Sequence, residues 1–264
     1  MIKLIVTGAC GRMGATILRL AAADPSFVVT HVVEKATHPA SGTSIDAGGP
    51  SPLILEDSLG RVIGDSDVVI DFTDADASLF NFQIACEAGK AIVIGTTGIP
   101  AASLAEMKAH AGARAVISPN MSIGVNVLFT LAERAAKALG RDYDMEIVEM
   151  HHRWKKDAPS GTALRLKDVI AAASPDRKWV PVLGRSGVTG ERKDDEIGVL
   201  SLRGGDVVGE HTVFFAGTGE RLEITHRAYS RENFAHGALF AAAWIIRQKN
   251  GIYDMADVLG LKGV

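Results

Sequence analysis

The densest chemistry in this 264-residue sequence lies in Glu149-Met150-His151-His152-Arg153-Trp154-Lys155-Lys156-Asp157-Ala158-Pro159-Ser160-Gly161-Thr162. Five potentially cationic residues fall within six positions there, in a chain whose formal net charge is -3. A solvated basic loop would account for the charge, but not for the adjoining helix: Pro159-Ser160-Gly161-Thr162-Ala163 opens a segment in which Leu166, Val169 and Ile170 recur at helical spacing. A helix that begins Ser160-Gly161-Thr162 offers free N–H groups, two hydroxyls and the positive dipole end, with no bulky side chain in the way. That suits a carboxylate. A ligand with two carboxylates can place one on this helix start and the other near Lys155, Lys156 or Arg153. His151 and Lys155 are the proton-transfer candidates, because histidine titrates near neutrality and neighbouring cations lower a lysine. No metal site is expected, since His151 and His152 are adjacent and no nearby acid or histidine completes a zinc set.

A second constellation stands at the start of the chain. Glycine is the one compositional excess, 28 of 264 residues, and three glycines fall in Gly8-Ala9-Cys10-Gly11-Arg12-Met13-Gly14, after an apolar run and before a helical pattern. In that context such a turn lets a pyrophosphate approach backbone N–H groups at a helix N-terminus. Glu34 ends the next strand about 20 residues past Gly14, where a ribose-binding acid belongs. Lys35 is next in the chain; a cation there can meet a 2′-phosphate, whereas the acid alone favours the free hydroxyl, so the pair suggests that both NADH and NADPH are accepted. Lys35 as a plain exposed loop lysine is the alternative. Asp71-Phe72-Thr73, Gly95-Thr96-Thr97-Gly98 and Ser118-Pro119-Asn120-Met121-Ser122 occupy the carboxyl ends of later strands, where open α/β sheets bind ligands.

The elements needed to position these groups are readable from periodicity. Strands are expected at 2–6, 28–33, 68–72, 91–94 and 115–117, alternating with helices at 13–23, 75–88, 101–111 and 123–138, the rhythm of a parallel sheet covered on both faces. After residue 140 the pattern becomes strand-rich, at 145–150, 199–203, 211–215 and 221–226 with one helix at 163–173, which suggests a mixed or antiparallel sheet. A last apolar helix, 232–249, needs a partner and is expected to return to the first domain. Residues 37–52 and 184–195 read as loops. The expected class is therefore α/β: a Rossmann-type doubly wound parallel sheet with an inserted α+β domain carrying a mixed sheet. Residues 1–122 plus 232–264 are expected to bind the dinucleotide, and 123–231 to bind substrate and mediate oligomerisation.

Composition excludes several classes. With 47% apolar and 22% charged residues the chain is neither disordered nor fibrous, and its acidic balance gives no basis for nucleic-acid or membrane-surface partners. The longest apolar stretch, 238–246, is too short to span a bilayer. Two cysteines without a C-x-x-C and an N-terminus without a secretory apolar region point to a cytoplasmic location. Aldehyde chemistry through a cysteine is disfavoured, since Cys10 lies in the glycine loop and Cys86 inside a helix pattern. A nicotinamide-binding redox sensor would have no use for His151, Lys155 and Ser160-Gly161-Thr162.

Taken together, the glycine loop, Gly95-Thr96-Thr97-Gly98, His151-His152 with Lys155-x-Asp157-Ala158-Pro159-Ser160-Gly161-Thr162, Arg203-Gly204-Gly205-Asp206 and Arg231-Glu232-Asn233-Phe234-Ala235 make a full-length pattern. It resembles the 4-hydroxy-tetrahydrodipicolinate reductases of lysine and diaminopimelate biosynthesis, also called dihydrodipicolinate reductases. The resemblance implies NADH- or NADPH-dependent reduction of a cyclic hydroxy-dicarboxylate with loss of water. It implies that His151 and Lys155 are the acid/base pair, with Lys155 giving a proton to the ring carbon beside the hydride acceptor. By the same resemblance His152 and the Gly161 and Thr162 turn bind substrate carboxylates, and Gly8, Arg12 and Met13 hold the cofactor phosphates. Glu34 and Lys35 then meet the adenosine ribose, while Gly95, Thr96, Thr97, Ser118, Asn120 and Met121 lie on the nicotinamide side. A homotetramer built through the second sheet is also implied, which would account for the apolar strands 199–202 and 213–215. Cys10, so close to the cofactor, is a candidate for oxidation.

Overall fold

The computed structural model describes residues 1–263. They form two compact units, residues 1–123 with 231–263, and Gly124–Ser230.

Unit 1 is built from β1 (Ile2–Thr7), α1 (Arg12–Ala23), β2 (Phe27–Val33), β3 (Ser44–Ile45), β4 (Leu53–Glu56), α2 (Leu59–Val62), β5 (Val68–Asp71), α3 (Ala75–Glu87), β6 (Ala91–Ile94), α4 (Ala101–Ala109) and β7 (Arg114–Ile117). α5 (Ile123–Leu139) leads into unit 2, which continues with β8 (Asp144–His151), α6 (Gly161–Ala173), β9 (Val180–Val182), β10 (Glu196–Arg203), β11 (Gly209–Gly217) and β12 (Glu220–Ala228). The chain closes with α7 (Glu232–Ile245), β13 (Gly251–Tyr253) and α8 (Met255–Val258), all within unit 1.

The unit 1 sheet has the order β13-β7-β6-β5-β1-β2-β4-β3, with every pairing parallel except the short β3–β4 pair. Its central strands are continuous apolar runs because both faces are covered. Alternation sends Leu4, Val6, Val68, Ile70 and Val93 to one side with Ile17, Leu18 and α7, and Ile5, Val69, Ile92 and Ile94 to the other with Phe82 and Met107. α7 places Ala235, Ala238, Ala241, Ala242 and Ile245 in the first of these clusters, so the C-terminal helix packs in the core of the N-terminal sheet. It ends at Ile245, four residues before the expected end at 249.

Unit 2 holds a mixed five-stranded sheet of order β12-β11-β8-β10-β9, in which β9, β10 and β8 run parallel and β11 and β12 antiparallel. β9 precedes the 184–195 loop and was not expected. β3, β4 and β13 were also unforeseen: they are two to four residues long, too short for periodicity to show. The helix-facing side of this sheet buries Met145, Ile147, Ile197, Val199, Val213 and Phe215 against Leu128, Ala132, Leu166 and Ile170. This corrects part of one expectation, since Val199, Val213 and Phe215 serve the unit's own core. Leu202 alternates onto the opposite face and is 51% exposed.

Candidate functional site

In unit 1 the register Thr7↔Val33, Thr7↔Asp71, Asp71↔Ile94 and Ile94↔Ile117 brings the carboxyl ends of five strands to one edge. Gly8, Glu34, Asp71, Gly95 and Ser118 therefore lie along that edge. Gly8 has φ +68, and a Cβ on it would stand 2.8 Å from the Phe72 carbonyl oxygen. A Cβ on Gly14 would overlap the Gly8 carbonyl, so α1 cannot pack this close to the turn with any other residue there. No side chain caps the start of α1, and Cys10, Gly11 and Arg12 are exposed. The turn therefore keeps helix-end N–H groups available to an anion. The Glu34 carboxylate accepts from Cys10 N at 3.3 Å and from Lys35 N at 3.1 Å, so the acid stands against the loop itself. These residues fit a dinucleotide, with phosphate at the turn and ribose at the acid. Partial burial, and then Glu34, raise the Cys10 thiol above its ordinary value, which keeps it in the less reactive protonated form.

Behind the edge lies Asp71, wholly buried. Thr7 Oγ1 at 2.8 Å and Asn81 Nδ2 at 2.6 Å donate to its Oδ2. Its Oδ1 faces the hydroxyls of Ser78, Thr73 and Thr96 at 2.5, 2.9 and 3.0 Å. Two expectations shift here. The Thr96 side chain belongs to this cluster, and Met121, 1% exposed, lies in the apolar core, so either would meet a cofactor through backbone only. Ser118 Oγ donates to Asn120 O at 2.9 Å and Asn120 Oδ1 accepts from Ser122 N at 2.9 Å, which fixes that turn. Thr97 remains exposed.

In unit 2, β8 runs one residue further than periodicity indicated and ends on His151. Its alternation puts Glu149 and His151 on the same buried face. Arg203 pairs with His151 on one side, and His211 with Glu149 on the other. Glu149 is wholly buried and accepts four hydrogen bonds: from Arg203 Nη1 and Nη2, both at 2.9 Å, from His151 Nδ1 at 2.5 Å and from Ser160 N at 3.1 Å. Burial alone would push this carboxyl up, but the bonds from His151 and Arg203 outweigh it and hold it at about 2. His211 moves the opposite way: burial, and next the neighbouring His151, push it down to about 3, so it is neutral. Its Nε2 lies 3.0 Å from Ser160 Oγ, while no partner reaches its Nδ1 among the described residues.

Lys155 Nζ donates to Asp157 Oδ1 at 2.9 Å, and this bond, against a smaller effect of burial, holds the Asp157 carboxyl below its ordinary value. Arg203 Nη2 also donates to the Asp157 carbonyl at 2.7 Å, fastening the lysine loop to the Glu149 clamp. Ser160 is not the open hydroxyl that the sequence suggested. It caps α6, accepting from Ala163 N at 3.2 Å, and is buried. Gly161 is exposed and a Cβ there would meet nothing within 4 Å, so the space ahead of the helix start is open. His152 stacks loosely with Trp154, ring centroids 5.7 Å apart. Among the described residues no group of three or more His, Cys, Asp or Glu is gathered as a metal set, and no helix is long and apolar enough to cross a membrane.

Residues 2–121 match the family model of the dihydrodipicolinate reductase N-terminus, and residues 124–259 that of its C-terminus. The chain is 52% identical to the 4-hydroxy-tetrahydrodipicolinate reductase of Anaeromyxobacter dehalogenans, covering 100% of this chain and 99% of that one. It belongs to the dihydrodipicolinate reductase family. The family's protein from Syntrophus aciditrophicus is 48% identical over 99% of this chain and all of its own. The fold is also that of a dipicolinate-bound dihydrodipicolinate reductase from Paenisporosarcina sp. TG-14, with a TM-score of 0.81 at 23% identity over 97% of this chain and 98% of that one. Unit 1 thus carries the family's Rossmann-type dinucleotide-binding fold.

Within this family fold the two groups of sequence-derived residues fall in different units: Gly8, Arg12, Met13, Glu34, Lys35, Gly95 and Ser118 in unit 1, His151, His152, Lys155, Ser160, Gly161 and Thr162 in unit 2. Sequence reasoning missed Glu149, Arg203 and His211 as members of the site. A signal existed for Glu149, which lies two positions before His151 and so shares its face of a strand. For Arg203 and His211 the missing information was the register, which no local pattern contains.

Proposed function

We propose that this chain reduces 4-hydroxy-2,3,4,5-tetrahydrodipicolinate to tetrahydrodipicolinate with loss of water, using NADH or NADPH. Residues 1–122 with 232–264 serve as the dinucleotide-binding domain and 123–231 as the substrate-binding and oligomerisation domain. The observation that carries this reading is His151, Lys155 and the open Gly161 helix start gathered in one unit of a chain that matches the family from end to end.

Gly8, Arg12 and Met13 hold the cofactor phosphates, and Glu34 and Lys35 the adenosine ribose. Gly95, Thr96, Thr97, Ser118, Asn120 and Met121 line the nicotinamide side, Thr96 and Met121 through their backbone. When bound, the dinucleotide supplies the hydride. The substrate's carboxylates sit at Gly161 and Thr162 and at His152, where α6 offers N–H groups and the positive end of its dipole. Ser160 contributes by capping that helix. Lys155 delivers a proton to the ring carbon beside the hydride acceptor, with His151 as its acid/base partner; one hydride and one proton enter, and water leaves. Lysine at position 35 presents a point charge and not a guanidinium fork, which suits acceptance of both cofactors. The location is cytoplasmic and the assembly a homotetramer formed on the face of the unit 2 sheet that carries Leu202. Light scattering on the purified protein checks the assembly and should give four times the 27.9 kDa chain mass.

The test of the reaction couples aspartate semialdehyde and pyruvate, through their condensing synthase, to cofactor oxidation by this protein. Loss of reduced-nicotinamide absorbance that needs both substrates and this chain is expected with either cofactor. No oxidation in the complete mixture would sink the proposal.

A further inference from the structure

We infer that Glu149 is a positioning residue, whose buried carboxylate fixes the proton of His151 on Nδ1 and seats the start of α6 with the same two oxygens. The inference deepens the reading of His151 as a proton-transfer group and rests on it. Four donors converge on the carboxylate. Oε2 receives His151 Nδ1 and Arg203 Nη1, and Oε1 receives Arg203 Nη2 and the Ser160 amide. One group therefore ties the end of β8 to the end of β10 and to the first turn of α6, the segments that carry the histidine and the helix start.

An ionised carboxylate only accepts hydrogen bonds, so at 2.5 Å the Nδ1 of His151 is the donor. In the neutral ring Nε2 then holds the lone pair and is the nitrogen that exchanges a proton. Gly209 leaves room for that atom: a Cβ there would stand 3.0 Å from His151 Nε2. The other charged or titratable groups beside the ring are Arg203 from β10 and His211 from β11, and Lys155 on the loop after β8 is near enough to His211 to lower it. Arg203 forks onto both oxygens of Glu149 and so keeps it an acceptor. His211, T-shaped against His151 at 5.2 Å, is neutral and takes Ser160 as its partner, so it does not compete for Glu149. A purely structural clamp could be built from neutral groups. A group that can only accept dictates which nitrogen of His151 carries hydrogen, and Glu149, ionised against Arg203, is such a group.

The test is the tautomer itself, read from 15N shifts of histidine-labelled full-length protein without ligand, at a pH where the ring is neutral. His151 is assigned by the signals lost in His151→Gln. Wild type should show a protonated Nδ1 and an unprotonated Nε2, opposite to the form favoured in water. Glu149→Gln should shift the ring toward Nε2–H and lower kcat about 10²-fold with dinucleotide Kd unchanged. Glu149→Asp should recover part of both the tautomer and the rate. An Nε2–H ring in wild type overturns the inference even if no variant folds, and so does Glu149→Gln with wild-type tautomer and kcat. Absence of turnover in wild type would count against the proposed reaction, while the ring spectrum still decides the role of Glu149.

Discussion

Among the described residues each unit buries one carboxylate completely, and the two are satisfied in opposite ways. Asp71 in unit 1 is surrounded by neutral donors, the hydroxyls of Thr7, Thr73, Ser78 and Thr96 and the Asn81 amide. Glu149 in unit 2 is held by a guanidinium, an imidazole and one backbone amide. Neutral donors fix shape: Asp71 holds the turns at the carboxyl edge of the sheet, where a dinucleotide needs rigid backbone. Ionisable partners do more, because they set which atoms carry protons and tie the local structure to pH. The unit that presents backbone to a cofactor uses the first device, and the unit assigned to proton transfer uses the second.

Substitutions in either unit put this contrast at risk. The largest effect is expected for Lys155→Ala and His151→Gln, which should lower kcat about 10²- to 10⁴-fold while leaving dinucleotide affinity within about twofold; stopped-flow turnover and fluorescence titration read the two quantities. Gly161→Ala comes next. Its Cβ meets no protein atom, so thermal stability should hold, yet the methyl intrudes where a carboxylate is proposed to bind and should raise substrate KM about 10- to 100-fold. The matching change in unit 1, Gly14→Ala, overlaps the Gly8 carbonyl and should cost stability instead. Asp71→Asn turns an acceptor into a donor among donors and should destabilise by about 1–3 kcal/mol in urea titrations, weakening dinucleotide affinity more than kcat.

The last contrast is the dependence of stability on pH, which should be centred on unit 2. His211 titrates at about 3 when folded against its ordinary 6.5, so below about 6.5 the unfolded chain binds the extra proton. Stability therefore falls as pH is lowered through that window. Glu149, at about 2 when folded, adds the same sign below about 4.5, where its unfolded carboxyl takes up a proton and the folded one does not. Each group contributes up to about 1.4 kcal/mol per pH unit in its window. Urea midpoints between pH 7 and 4 check this, and His211→Gln should flatten the upper part of the slope.

Much of the fold was legible because its signals are local. The central strands and the helices of unit 1 track continuous apolar runs and helical spacing, and Gly8, Gly14 and Glu34 sit where a strand–turn–helix grammar requires them. His151, Lys155 and Gly161 stood out by type and spacing. What escaped was either too short to have a period, as with β3, β9 and β13, or depended on which residues lie opposite one another. Arg203 reaches Glu149 across 54 positions and Ser160 meets His211 across 51, separations that only strand register closes. The same blindness explains why Ser160 and Met121 looked like free ligands: nothing local showed that one caps a helix and the other fills a core.

Hydride transfer from nicotinamide to the dicarboxylate is the step on which the roles proposed for both units depend, and isotope transfer reads it without intermediaries. Wild-type protein is given nicotinamide cofactor deuterated at the transferring carbon together with enzymatically generated 4-hydroxy-tetrahydrodipicolinate, and the product is weighed by mass spectrometry. One deuterium in tetrahydrodipicolinate, formed in step with oxidised cofactor, is the result predicted. Cofactor oxidation without labelled product, or no product at all, would contradict it.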